Sequence, residues 1–337
     1  MNLRTFTAAA VVIGGMSVAH VRADEPAPVP SLRQFGNPAA KDQDDVCFWV
    51  HPRDPALSTL IASDKSAHAL FVYDLSGKLL QQIAIPKPGN VDIRQQVKFD
   101  GGLLDVVVVN QRTDYRLRIF RIDHESRQLV ALDSDPIVTG PNYGGCLTVS
   151  RRTGRLSFLC TAEQGAVEQY ELIRAASGKL GGKKVRGWKI GKCEGAVADD
   201  DAGVFFISEE KMGIWKVGTE RDDSTPGELI AKVGVGNSLA GDVEGLTLVC
   251  EPNGAGQLIA SDRGKSRFVV FDRQAPHRRL GAFQVQGARL TDGIDLVTIP
   301  LGPDFPDGIF ACHTDQGKRE IQLSSWAEIR RRLDAAR

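Results

Sequence analysis

Apolar residues come in short runs along this chain: "ALFVYD", "LLDVVVVN", "RLSFLC", "GVFFIS" and "RFVVFD" are typical. Turn-forming pieces separate them, among them "HPRDP", "FDGG", "RRTG", "DDDAG", "PNGAG" and "PDFPDG". Runs of this length, rich in Val, Ile, Leu and Phe and bounded by Gly, Pro and Asp, predict β-strands. Helical periodicity is scarce until the last stretch, "SWAEIRRRLDAAR".

The runs also repeat as a group. From Glu194 the chain reads "EGAVADDDAGVFFISEEKMGIWKV", and from Glu244 "EGLTLVCEPNGAGQLIASDRGKSRFVVFDR", with acid, Gly, apolar runs and charges in the same order. Further copies begin near Asp44, Asn90, Tyr143 and Asp292, spaced by roughly fifty residues. Three or four short strands per unit, six times over, predict an all-β fold, a six-bladed β-propeller. A fourth strand is visible in "KLLQQIAI", "QLVALD", "KKVRGWKI", "ELIAKVG" and "RRLGAFQV". The last unit lacks one because "AEIRRRL" follows its third, so "SLRQFG" at Ser31 is expected to close the ring as an N-terminal strand and leave no open edge.

The opening "MNLRTFTAAAVVIGGMSVAHVRADEP" reads as an export signal over residues 1–23, with "VRA" before the cleavage point, leaving a single propeller domain over 24–337. A secreted or periplasmic location is therefore expected. No later segment approaches twenty apolar residues, so no membrane partner is expected. Lys plus Arg and Asp plus Glu are both 42, and this balance gives no footprint for nucleic acid. A monomer is expected. The six Cys include no CxxC, which argues against a zinc ribbon. Cys146 and Cys160, symmetric about "SRRTGR", are expected to face each other across a hairpin within bridging reach.

In a propeller, residues at the start of each first strand and just after each second strand crowd around one end of the channel. The first set holds Asp44, Asp45, Asp92, Tyr143, Glu194, Asp242, Glu244, Asp292 and Asp295; the second holds Lys65, Arg112, Glu163, Glu209, Glu210, Arg263 and Asp315. Any one acid beside Gly is ordinary turn chemistry. Acids at corresponding places in most blades point instead to a site. Carboxylates so placed raise each other's pKa unless a cation neutralises them, and Ca²⁺, which takes six to eight oxygen ligands, suits the set. The interleaved basic residues then call for an anion, and multivalent phosphate satisfies both groups. Arg94 is expected to pair with an acid inside the ring, and "GKKVRGWK" to form a solvated outer strand with Trp188 packed between blades.

Several words of the chain, "DDVCFW", "NVDIR", "VEQYEL", "EGAVADD", "ISEE", "DVEGLTL", "TDGIDL" and "GPDFPDGIF", occur in an order that resembles the β-propeller phytase family, from about Asp44 to Trp326. The resemblance implies a calcium-dependent phosphomonoesterase acting on myo-inositol hexakisphosphate, with a metal-activated water as nucleophile and no covalent phosphoenzyme. It implies that Asp44, Glu194, Glu210, Asp242, Glu244 and Asp292 hold catalytic Ca²⁺, with Tyr143 beside them. Asp45 and Asp92 match positions for a more structural calcium, and Lys65 and Arg112 match phosphate-binding residues. The chain departs from the family at Ser66 and Glu163, where Lys is usual, and at Arg263, which stands at a Gln-like position and offers a replacement phosphate contact. Two other readings stay open: a propeller that binds a ligand without catalysis, and a metal-dependent hydrolase of another phosphate ester or a lactone. Neither GxSxG nor a Ser-His-Asp set supports nucleophilic catalysis.

Overall fold

Alternating apolar runs and tight turns fold here into hairpins, and the hairpins into blades. The computed structural model describes residues 28–99, 102–133, 137–224, 227–236, 238–318 and 320–335. Blade 1 runs through Gln43–Trp49, Thr59–Asp64, Ala69–Asp74 and Leu79–Ala84, each strand antiparallel to the next. Blade 2 uses Pro88–Phe99, Gly102–Gln111 and Arg116–Asp123, and its outer edge is shared by two short strands, Gln128–Ala131 and Ile137–Val138. Blade 3 is Gly145–Val149, Leu156–Thr161, Ala166–Arg174 and Leu180–Lys189; blade 4 is Cys193–Asp199, Val204–Glu209, Gly213–Gly218 and Glu228–Lys232. Blade 5 is Val243–Cys250, Gly256–Asp262, Arg267–Asp272 and Arg279–Phe283.

Blade 6 supplies Ile294–Val297, Ile309–Cys312 and Ile321–Ser325, after which the chain turns into the helix Trp326–Ala335. Its fourth strand is Arg33–Phe35 from "SLRQFG", paired Arg33 to Leu323 and Phe35 to Ile321. The ring is closed by the N-terminal strand, as the missing fourth run predicts. The expected export leader lies outside the described residues.

Each seam between neighbouring blades has its own apolar cluster. Phe35, Phe71 and Ile321 fill the seam between blades 6 and 1, for example, while Phe268, Phe310 and Trp326 fill that between 5 and 6. The helix covers the latter seam by burying Trp326, Ile329 and Leu333. Trp188 packs against the apolar cluster of the seam between blades 3 and 4, as expected for the outer strand that carries it.

The cysteine expectation is corrected. Cys146 lies opposite Leu159, and Cys160 opposite Gly145, so the two are one register step apart and point to opposite faces of blade 3. Cys146 joins the seam towards blade 4 and Cys160 the seam towards blade 2. All six Cys are free thiols.

Candidate active site

The acid-Gly step that recurs along the chain is a β-bulge. In blade 4, Cys193 pairs with Glu209 and Ala196 with Ile207, so Glu194 and Gly195 together oppose Ser208 alone. Blade 5 repeats this: Val243 pairs with Asp262 and Leu246 with Ala260, and Glu244 with Gly245 opposes Ser261. A bulge bends the strand and re-aims the side chain beside it. The acid turns into the channel mouth, and the glycine meets the next blade. A Cβ on Gly195 would stand 2.1 Å from the Glu244 carbonyl oxygen, and one on Gly245 2.3 Å from that of Asp292. Gly245 N–H also donates to the Asp292 carbonyl, and in the next seam Gly293 N–H donates to that of Asp44, both at 3.0 Å. Glycine serves the ring and the acid serves its mouth.

Around the mouth, Asp44, Glu194, Glu210, Glu244 and Asp292 are all buried. Glu210, Asp242 and Glu244 offer carboxylate oxygens within 4.8 Å of one another, and Asp44, Asp292 and His313 form a second such group. Burial, followed by the charges of Asp44 and Asp292, holds the Glu194 carboxyl well above its ordinary range. Burial and the charge of Glu194 do the same for Glu244. Asp292 is pushed up to about 7 by burial and by Asp44. The Tyr143 hydroxyl hydrogen-bonds to Glu194, and burial with that neighbouring charge raises its pKa. One buried oxygen each of Asp44 (Oδ2) and Glu244 (Oε2) has no hydrogen-bond partner. Unpaired buried carboxylate oxygens, all acceptors and drawn together at one opening, fit a hard, oxygen-preferring cation.

The basic residues lie among these acids. Lys65 Nζ reaches Asp44 Oδ1 at 2.5 Å and stands 3.8 Å from Asp42 and 3.9 Å from Asp292. Arg112 stacks over the Tyr143 ring, 4.1 Å from its centroid, and pairs with Glu163 at 3.1 Å. Arg263 donates to Asp292 at 2.6 Å, Asp242 at 2.8 Å and Asp315 at 3.2 Å. Ser66 Oγ donates to Asp42 at 3.1 Å.

Three members of this neighbourhood were not among the candidates read from the sequence. Lys192 pairs with Glu210 at 2.8 Å and lies 5.1 Å over the Tyr143 ring. Asp42 lies beneath Lys65 and Ser66. His313 is fully buried, and burial lowers its pKa to about 4. Its Nδ1 accepts the Asp292 N–H at 3.1 Å. Lys192, in "GKCEG", was legible as the residue two before an acid-Gly step; His313 carried no such marker.

Asp45 and Asp92 do not join the mouth. With Asp295 they line a small central cavity of about 50 Å³ to which the first strand of every blade contributes. Here the acids accept backbone N–H groups across seams: Asp45 from Val91 at 2.9 Å, Asp92 from Leu147 at 2.7 Å, Asp295 from Phe48 at 2.8 Å. Arg94 pairs with Asp92 at 3.0 Å and with Asp200 at 2.8 Å, the pairing inside the ring that was expected of it. Of the two acids in "ISEE", Glu210 faces the mouth while Glu209 accepts from the Trp215 indole at 2.7 Å.

Comparison with known proteins follows the same lines. The 1.55 Å crystal structure of regucalcin from Agrobacterium tumefaciens, a calcium-binding protein, covers 89% of this chain and 97% of its own with a TM-score of 0.55; at 13% identity the likeness is one of fold. The 3-phytase of Bacillus subtilis (strain 168) is 34% identical over 310 residues, 86% of this chain and 81% of the relative. The sequence profile of the Phytase family matches residues 6–334. The family match spans every blade: the chain belongs to the phytase family and is a phosphoric monoester hydrolase.

Proposed function

We propose that this protein is a secreted or periplasmic, monomeric, calcium-dependent phosphomonoesterase that releases phosphate from phytate. The observation that carries the calcium reading is the set of buried carboxylates at one channel mouth, two of which keep an oxygen with no protein donor. The substrate reading rests on the 3-phytase relative and the family match.

Glu210, Asp242 and Glu244 would hold one ion, and Asp44 and Asp292, with Glu194 beside them, another. When bound there, Ca²⁺ supplies positive charge for phosphate oxygens and makes water acidic enough to act as a nucleophile. The chain's own groups do the rest. Tyr143 holds Glu194 through its hydroxyl, and its ring carries the guanidinium of Arg112 above it. Arg112 and Lys65 place cationic donors at the rim, where phosphate oxygens of a substrate would meet them. Asp45 and Asp92 are left out of the ion-holding set, because they line the central cavity and accept backbone N–H groups across seams there.

Phosphate release from phytate should stop on adding a calcium chelator and return on adding calcium. Release that continues unchanged in chelator would sink the calcium reading. Calcium-dependent release from simple phosphomonoesters, with none from phytate, would sink the substrate reading instead.

A further inference from the structure

The three contacts of Arg263 give it a role other than a phosphate grip. Asp242 belongs to the group with Glu210 and Glu244, whereas Asp292 belongs to the group with Asp44 and His313. Arg263 bridges the two, donating from Nε to Asp292 and from a terminal nitrogen to Asp242, and its other terminal nitrogen reaches Asp315. Its backbone is anchored as well. Arg263 N–H donates to the Asp242 carbonyl at 3.1 Å, and Gly264 N–H to that of Gly241 at 3.2 Å. Ser266, in the left-handed region at φ 48°, ends the short turn that begins at Arg263 and donates back to the Arg263 carbonyl. The side chain is three-quarters buried, with 23% of it exposed. All these features set a planar, permanently charged fork between two carboxylate groups, with each of its three nitrogens donating to a carboxylate.

We infer that Arg263 is a built-in cation of the mouth: it takes the place of a metal ion between Asp242 and Asp292, and confines bound calcium to the two pockets on either side of it. This rests on the calcium reading above. A guanidinium cannot be chelated or diluted away, so the seam between blades 5 and 6 stays neutralised at calcium concentrations where the remaining pockets empty. Lys65 differs in kind. It has one close partner, Asp44, on a flexible stem, and can swing to a phosphate, whereas moving Arg263 would strip three carboxylates at once.

Calcium binding by titration calorimetry and melting in chelator, on wild type and Arg263→Gln, test this without using turnover. The expected result is one additional calcium bound per Arg263→Gln chain. Binding at the neighbouring pockets should tighten roughly tenfold as a like charge a few ångströms away is removed. Chelator should also lower the melting temperature of Arg263→Gln more than that of wild type, with calcium restoring it. If wild type binds calcium and Arg263→Gln binds the same number with equal affinity, the built-in cation is refuted while the calcium reading stands. If wild type binds none, the calcium reading fails and this inference with it. Should Arg263→Gln fail to fold even in calcium, Arg263→Lys decides. A compact ammonium keeps the charge but loses the planar fork that reaches three separated carboxylates, so it should keep the wild-type stoichiometry yet melt lower in chelator, and melting identical to wild type would overturn the inference.

Discussion

The mouth of the channel and its centre are both ringed with acids, yet they solve the problem of buried charge in opposite ways. In the centre, Asp45, Asp92 and Asp295 each accept a backbone N–H from the neighbouring blade, and Arg94 neutralises Asp92 and Asp200. Protein donors meet the acids there, and each contact ties one blade to the next. At the mouth the acids face one another. Burial with Asp44 and Asp292 raises the proton affinity of Glu194, burial with Glu194 raises that of Glu244, Asp292 is pushed up to about 7, and Asp44 and Glu244 keep an oxygen without a donor. Carboxylates that satisfy each other poorly make a weak brace and a good cation site. The same residue type is a rivet in one place and, on the function proposed above, a metal ligand in the other.

That contrast can be broken experimentally. The largest expected effect is at Glu244. Glu244→Ala should reduce phosphate release by roughly a thousandfold while leaving melting in chelator no lower than wild type, because removing an unpaired buried acid relieves repulsion. A variant that unfolds while keeping its turnover would put Glu244 with the central acids. Arg94→Leu should do the reverse. Breaking the buried pairs with Asp92 and Asp200 should cost on the order of 3 kcal/mol in denaturant unfolding, with turnover per folded molecule near wild type. Loss of activity without loss of stability would move Arg94 into the catalytic machinery.

Asp295 sharpens the comparison through pH. Burial holds its folded pKa up to about 7, against an ordinary value of 3.8. The folded form therefore keeps a proton that the unfolded chain gives up, so the contribution of Asp295 is fully present below pH 3.8 and is lost as pH rises through about 7. Asp295→Asn should flatten the melting-temperature profile across that window. An unchanged profile would mean that other groups set the pH dependence. The smallest effect expected is at Glu163, which is half-exposed and pairs with Arg112. Glu163→Lys frees Arg112 and adds a cation, and should lower the KM for phytate about fivefold, with less change for a singly phosphorylated substrate. Equal changes for both substrates would show that the residue does not read phosphate number.

The alternation of short apolar runs and turns carried the blade count, because strand and turn preferences are local and the period repeats. The closing strand was legible by subtraction: a unit that ends in a helix needs its fourth strand from elsewhere, and "SLRQFG" was unassigned. The acids of the mouth were legible as a column of corresponding positions. Depth was not. Asp44 and Asp45 are adjacent in sequence, yet a bulge between Gln43 and Asp45 sends one to the mouth and the other to the central cavity. The cysteine pair failed for a related reason, since a turn marks where a hairpin reverses but leaves its register open by one residue, and one residue exchanges the faces.

Composition and periodicity alone thus determined an all-β ring of six units and gathered its charges at one end, since both follow from what each residue prefers beside its near neighbours. Tertiary structure decided which acids receive a backbone donor and which meet side-chain cations and one another, where Arg263 spends its charge, and that His313 lies buried beneath Asp292. These outcomes depend on distances within and between blades, among residues roughly twenty or more positions apart in sequence, and a pattern of local preferences holds no measure of such distances.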